Sequence, residues 1–291
     1  MTPLLLLALI AQPDFAALER STGAHIGVSI RHIESGRVWN WRGEERFPTM
    51  SVYKYPIAIA VLKAVDAGKL SLDTRVTIRQ EDIRRGLSSY LDNRKLAAPK
   101  QFTVRELLSG MVSHSDNTAC DTLLDRIGGP AEVTRVLRAL GITGVRVDRS
   151  EFDMGRDIAR LGVGGFDRDG RDSSSPVSMA SLLEMTHRAE LQLKPESQRL
   201  LMRTLRETAT GANRIKAGLP PGTPLWHKTG TGPRVKGVNL ATNDVGVFTL
   251  PDGTHAAIAV FLKSGTAPDA KLESAIAQIS REVMALVSIT R

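Results

Sequence analysis

The sequence predicts an α/β protein of the α+β type: an antiparallel sheet flanked by N- and C-terminal helices, with an all-helical domain inserted between its strands. Three observations carry this expectation. Strand-like alternation occurs near both ends of the 291-residue chain, helical periodicity with capping signals fills the middle, and a long amphipathic stripe closes the sequence. The expected division is a secretory leader over 1–11, a sheet domain built from 12–48 and 194–291, and a helical domain over 49–193. A functional cleft is expected where the two domains meet.

The elements follow in order. Residues 4–11 form an apolar run too short to cross a bilayer, and Met1-Thr2-Pro3 supplies no positive flank. The run is read as the apolar core of an export signal cut after Ala11, so a periplasmic or secreted protein without a stable membrane anchor is expected. Asp14 to Arg20 suits a first helix ended by Gly23. Ile26, Val28 and Ile30 alternate, as do Val38 to Trp41, with Ser35-Gly36 between, which predicts a hairpin with Trp39 and Trp41 on one face.

From Thr49 to Leu193 the pattern is mostly helical. The first helix of this region runs to Gly68, although Pro56 cannot donate to the carbonyl of Val52, so a bend or an irregular first turn is expected. Thr103-Val104-Arg105-Glu106 is a capping box. The helix after Ser115-Asp116-Asn117 ends at Gly128-Gly129, and Pro130 opens another that stops at Gly141. Two more are expected from Ser178 to Leu191 and from Pro195 to Thr208. Gly162 to Gly170 reads as a flexible loop. Strands return with Leu225 to Thr231, then Val245 to Leu250 and Ala256 to Leu262 around Pro251-Asp252-Gly253. The last helix carries Leu272, Ile276, Ile279, Val283 and Leu286 on one stripe.

Composition narrows the function. A hydrophobic fraction of 42% and a charged fraction of 24% are ordinary for a globular protein. The formal charge of +8 is scattered and not interleaved with aromatics, which make up only 4% of residues, so no nucleic-acid partner is expected. The single cysteine, Cys120, excludes an intramolecular disulfide. The six histidines show no metal-ligand spacing, and neither a metal nor another cofactor is expected.

Chemistry enters at Met50-Ser51-Val52-Tyr53-Lys54. Ser51 is the one serine of the sequence followed three residues later by a lysine. On a helix that spacing brings an amine within reach of the hydroxyl, as an activated nucleophile requires. Ser115-Asp116-Asn117 and Lys228-Thr229-Gly230 follow. The ordered set Ser-x-x-Lys, Ser-Asp-Asn, Lys-Thr-Gly is a recorded signature. On it the chain resembles the class A serine β-lactamases over nearly its whole length.

The resemblance implies a monomeric hydrolase of the four-membered amide of penicillin- and cephalosporin-type antibiotics. It implies Ser51 as nucleophile and Glu151, in Arg149-Ser150-Glu151, as the base that activates the deacylating water. The acylation base stays open between Lys54 and Glu151, and Lys54 could serve only with its proton affinity depressed. Ser115 would protonate the departing nitrogen with Lys228 behind it, and the backbone N–H groups of Ser51 and Thr231 would form an oxyanion hole. Tyr90, Asn117, Thr229, Gly230 and Arg214 are implied as substrate contacts, with Arg234 the rival of Arg214. Asp116 is read as ordering its turn, and Gly230 and Gly232 as letting substrate lie close.

By the same resemblance Arg149 and Asp172 would pair across the Glu151 loop. One departure stands out: Gly155 replaces the asparagine that the family usually places four residues after the base. Two rivals share the first three motifs: a D-Ala-D-Ala peptidase, and a sensor that is acylated once.

Overall fold

The computed structural model describes residues 13–84, 91 and 98–289. The expected leader and Tyr90 lie outside these residues. In chain order the elements are α1 (Phe15–Thr22), β1 (His25–His32), β2 (Val38–Trp41), β3 (Phe47–Pro48), a 3₁₀ turn (Met50–Tyr53), α2 (Lys54–Asp66), β4 (Arg75–Ile78), a second 3₁₀ turn (Gln80–Asp82) and β5 (Lys100–Thr103). Then come α3 (Val104–Ser113), α4 (Asn117–Ile127), α5 (Pro130–Ala139), α6 (Glu151–Asp169), β6 (Ser173–Ser174), α7 (Pro176–His187), α8 (Pro195–Arg206) and α9 (Ile215–Gly218). The chain closes with β7 (Leu225–Thr231), β8 (Arg234–Val235), β9 (Val238–Thr249), β10 (His255–Gly265) and α10 (Asp269–Ile289).

The main sheet is antiparallel with the order β2-β1-β10-β9-β7, and β8 also pairs with β9. Strand period two sorts β10 between two cores. Ile258, Val260 and Leu262 join Ile26, Val28 and Ile30 of β1 against Leu272, Ile276, Ile279 and Val283 of α10. Ala257, Ala259 and Phe261 face the other core, with Phe47, Val52 and the helices. The stripe expected on α10 is thus the one it buries. Trp39 and Trp41 pack together on the first core, with Trp41 stacked on Phe15 at 5.4 Å. At Gly27 a Cβ would come within 2.3 Å of the Phe47 ring, so only glycine lets that ring lie on β1.

Capping residues fix most helix ends where the sequence marks them. Asp14 Oδ1 accepts from the Ala17 amide, and Gly23 closes α1 in the left-handed region at φ 61°. Thr103 and Glu106 cap each other's amides. Gly128 (φ 95°) ends α4, and Pro130 opens α5. Pro56 falls on the third residue of α2, behind the 3₁₀ turn, where an amide has no intrahelical partner to lose. The irregular first turn is therefore the answer to that residue. From Lys54 to Leu62 every residue of α2 is buried, which makes it a central helix enclosed on all sides.

Three expectations are corrected. Strand β9 begins at Val238, seven residues before the expected Val245, because Asn239, Thr242, Asn243 and Asp244 are buried polar residues that hide the strand pattern. Each has a partner: Asn243 Nδ2, for example, donates to the carbonyls of Pro48 and Thr49 at 2.9 and 3.0 Å. Second, α7 starts at Pro176 and ends at His187, short of Leu191, and it packs on β1 and β10.

Third, residues 162–169 are not a loose loop. They continue α6 past a break at Gly162 (φ 66°, ψ 178°). Buried Phe166 lies beneath the Arg149 guanidinium at 4.4 Å, and Asp167 pairs with Lys263 at 3.1 Å. Glycine content suggested mobility there, but side-chain anchoring decides the conformation. Among the described residues no helix is long and apolar enough to cross a membrane.

Candidate active site

The site assembles where the 3₁₀ turn, the α3–α4 junction, the start of α6 and edge strand β7 converge. Ser51 sits on the 3₁₀ turn directly after Met50, whose φ of 46° is left-handed for a side-chain-bearing residue. Ser115 has φ 59° in the three-residue gap between α3 and α4. Two such conformations beside one cleft mark stored backbone strain, a feature of functional sites. Asp116 holds the gap: its Oδ1 accepts from Ala119 N at 2.7 Å, and its Oδ2 accepts from Leu91 N.

Lys54 is the hub. Its Nζ donates to Asn117 Oδ1 at 2.5 Å, Ser115 O at 2.7 Å and Ser51 Oγ at 3.2 Å, and it lies 2.9 Å from Glu151 Oε1. One amine therefore touches both the hydroxyl and the carboxylate. Burial is the largest single influence on Lys54 and works against its charge, but the Glu151 carboxylate, with smaller contributions from its other neighbours, leaves its proton affinity above the ordinary lysine value. The depressed lysine that a resting-state base would need is not found at Lys54.

It is found instead at Lys228. That side chain is also fully buried on β7, and its Nζ donates to Ser115 Oγ and Thr229 O, both at 3.0 Å. Burial first, and the Lys54 charge second, push its proton affinity well below the ordinary value. On the same strand Thr229 Oγ1 meets Thr210 Oγ1 at 2.5 Å.

Glu151 opens α6, whose N-cap is Ser150. Asp121 fixes that helix start by accepting from Glu151 N (2.7 Å) and Phe152 N (3.2 Å). Burial, with the Glu151 charge adding to it, raises the Asp121 carboxyl to about 6. Behind Glu151, Arg149 donates to Asp172 at 2.5 Å and Asp157 at 3.0 Å, and Arg171 bridges Asp157 and Asp169. The expected Arg149–Asp172 pair is present as part of this network. The Arg171 bonds hold the Asp169 carboxyl at about 2 against its partial burial.

Ser51, Ser115, Asn117, Glu151 and Thr229 line one cleft of about 620 Å³, whose walls also carry Met50, Gly155, Ile158, Thr210, Gly211, Arg214, Thr231 and Pro233. A buried Ser–Lys–carboxylate hub in such a cleft suits acyl transfer to a serine followed by hydrolysis. The beta-lactamase enzyme family model matches residues 11–287. The chain belongs to that family.

Its similarity to individual members extends over most of the chain. The β-lactamase VEB-1 of Pseudomonas aeruginosa is 34% identical over 265 residues, 90% of this chain and 86% of that protein. The extended-spectrum β-lactamase PER-1 of the same species is 35% identical over 239 residues, 81% and 74% of the two chains. The crystal structure of a β-lactamase from Chitinophaga pinensis superposes with a TM-score of 0.84 at 32% identity, covering 94% of this chain and 97% of that one. The protein is a class A β-lactamase in fold, and it hydrolyses β-lactams.

Within this β-lactamase the sequence-derived site residues divide. Ser51, Lys54, Ser115, Asn117, Glu151, Lys228, Thr229 and Thr231 meet around the cleft. Tyr90 lies outside the described residues. Gly230 lies on β7 between Thr229 and Thr231, and a Cβ there would come within 2.4 Å of the Thr49 carbonyl. Its bareness, like that of Gly232 against Leu240 and Ala241, admits the close approach of the enzyme's own chain.

Arg214 reaches the cleft but is committed. It pairs with Glu273 at 3.0 Å and donates to Gly230 O, Asn243 O and Thr231 Oγ1, so its influence on the cleft passes through the Thr231 hydroxyl. Arg234 pairs with Asp269 and does not line the cleft. Sequence reasoning missed Asp121 and Thr210. Asp121 carried a usable signal, since it follows Asn117 by four residues on one face of α4; Thr210 carried none.

Proposed function

We propose that this β-lactamase opens penicillin- and cephalosporin-type rings through an acyl-enzyme on Ser51, cleared by a water that Glu151 activates. The observation that carries the reading is the single Lys54 amine in contact with both Ser51 Oγ and Glu151 Oε1. With Lys54 held as an ammonium, the carboxylate is the resting proton acceptor. Glu151 then receives the Ser51 proton, by way of water or by way of Lys54 handing on one of its own.

The serine oxygen attacks the lactam carbonyl, and charge on the carbonyl oxygen is met by the N–H groups of Ser51 and Thr231. Ser51 lies in the first turn of its 3₁₀ helix, where amides lack intrahelical partners, and Thr231 ends an edge strand. As the C–N bond breaks, Ser115, held by Lys228 at its Oγ, gives its proton to the nitrogen, and the proton taken up by Glu151 passes back by way of Lys54 to Ser115, which leaves Glu151 ionised for the second half. In the second half Glu151 takes a proton from water, the hydroxide attacks the acyl carbonyl, and Ser51 leaves with a proton returned through Lys54.

Substrate carboxylate is taken by Lys228, Thr229 and Thr231, and the substrate's side-chain amide by Asn117. The similarity to an extended-spectrum relative and the open space at Gly155, where a Cβ would meet nothing within 4 Å, support access for bulky side chains. The same reading includes export directed by residues 1–11, action as a monomer in the periplasm or outside the cell, and division into a sheet domain (12–48 and 194–291) and a helical domain (49–193).

A chromogenic cephalosporin assay with mass spectrometry tests the mechanism. Wild type should turn over, Ser51→Ala should not react, and Glu151→Ala should give one burst and an accumulated acyl-enzyme, a loss of about 10²- to 10⁴-fold in steady state. Gly155→Asn should alter deacylation more than acylation. A stoichiometric burst without turnover from wild type contradicts the reading and favours a sensor or peptidase.

A further inference from the structure

Away from the cleft, three ligand-bearing side chains meet at one corner of the sheet. Glu34 lies in the turn between β1 and β2, His187 ends α7, and His255 opens β10. Glu34 and His255 are 221 positions apart, so motif spacing gives no hint of the group. Each residue offers a ligand atom, and among the described residues these atoms form a set lying within 4.8 Å of one another.

The corner is pre-arranged. His255 Nδ1 is 2.7 Å from Glu34 Oε1, while the His255 backbone N–H donates to Oε2 at 2.8 Å. One carboxylate oxygen is thus anchored and the other presented. The His187 and His255 rings stand 4.2 Å apart at 45°. The adjacent Arg188 is occupied by Glu184 and the Ile33 carbonyl.

We infer that Glu34, His187 and His255 form a binding site for a divalent transition ion of the Zn²⁺ class, with its fourth position open to solvent. Two imidazoles and a carboxylate are a zinc donor set. Ligands about 2.0–2.1 Å from a tetrahedral ion lie roughly 3.3 Å apart. The His255–Glu34 pair must therefore open slightly and the other separations close, movements within reach of side-chain rotation. The ion replaces the proton now shared by Nδ1 and Oε1.

The bound ion would tie the β1–β2 turn, β10 and α7 together. It sits at the end of the sheet remote from Ser51. His255 pairs with Thr249, and Thr231 pairs with Thr242, a separation along β9 of roughly 23 Å at about 3.3 Å per residue. The site is one of stabilisation, and hydrolysis does not depend on it.

The test is calorimetric titration of untagged, chelator-treated enzyme with Zn²⁺ alone, together with the visible spectrum of the Co²⁺ form. Expected are one equivalent bound at micromolar Kd, a Tm raised by several degrees, and the intense bands of four-coordinate Co²⁺. His187→Ala and His255→Ala should each weaken binding at least tenfold, and Glu34→Gln severalfold, with β-lactam hydrolysis unchanged in all three. Should a histidine variant lose activity through misfolding, the wild-type Co²⁺ spectrum still decides. No binding by wild type, a weak six-coordinate Co²⁺ spectrum, or wild-type affinity in folded histidine variants overturns the inference.

Discussion

Lys54 and Lys228 are two fully buried amines in one cleft, and their proton affinities move in opposite directions. Burial penalises both charges alike. The difference is the neighbour: Lys54 lies 2.9 Å from the Glu151 carboxylate, whereas Lys228 faces a serine hydroxyl, a backbone carbonyl and the positive charge of Lys54. The cleft thus holds one lysine as a fixed cation that organises Ser51 and Glu151, and another as an amine ready to gain or lose a proton beside Ser115. Carboxylate placement, not depth, assigns the two roles.

Replacing each lysine by methionine is the strongest way to break this comparison. Lys54→Met leaves the Glu151 carboxylate unpaired in a poorly solvated site and should destabilise the fold by about 3–5 kcal/mol, besides abolishing turnover. Lys228→Met removes an amine that is costly to charge there, so the fold should lose far less, while acylation slows by about 10²-fold. Urea unfolding and single-turnover kinetics measure both arms. Equal losses of stability in the two variants would erase the distinction.

A smaller effect sharpens the same electrostatics at Asp121, which positions Glu151. Its carboxyl is raised from 3.8 to about 6 in the fold, so the native state binds a proton more tightly than the unfolded chain does. Its contribution to stability is therefore greatest below about pH 4 and declines as pH rises to about 6. Asp121→Asn removes that decline, and relative to wild type the variant should gain stability across the pH 4–6 window. A stability gap that stays constant with pH would show that burial does not raise this carboxyl.

Much of this arrangement was legible in the sequence where local chemistry sets the structure. Caps at Asp14, Thr103 and Gly128, the α10 stripe and the three ordered motifs all act over a few residues. What escaped is set by tertiary contact. The first half of β9 lies outside the expected strand because its polar side chains find partners only inside the fold. Residues 162–169 looked mobile until Phe166 met Arg149. That Gly230 makes room for the Thr49 carbonyl is likewise set by a chain segment remote in sequence. The direction of the Lys54 shift depended on Glu151, 97 positions away by residue number, and no motif spacing contains that sign.

The most direct test is NMR titration of lysine side-chain nitrogens, assigned to Lys54 and Lys228, in wild type and in Glu151→Gln. Lys54 is expected to titrate above the free-lysine value in wild type and to fall below it once the carboxylate is neutral, while Lys228 titrates low in both. A Lys54 that is already depressed in wild type, or that ignores the loss of Glu151, would contradict the claim that this carboxylate holds it as the cation of the site.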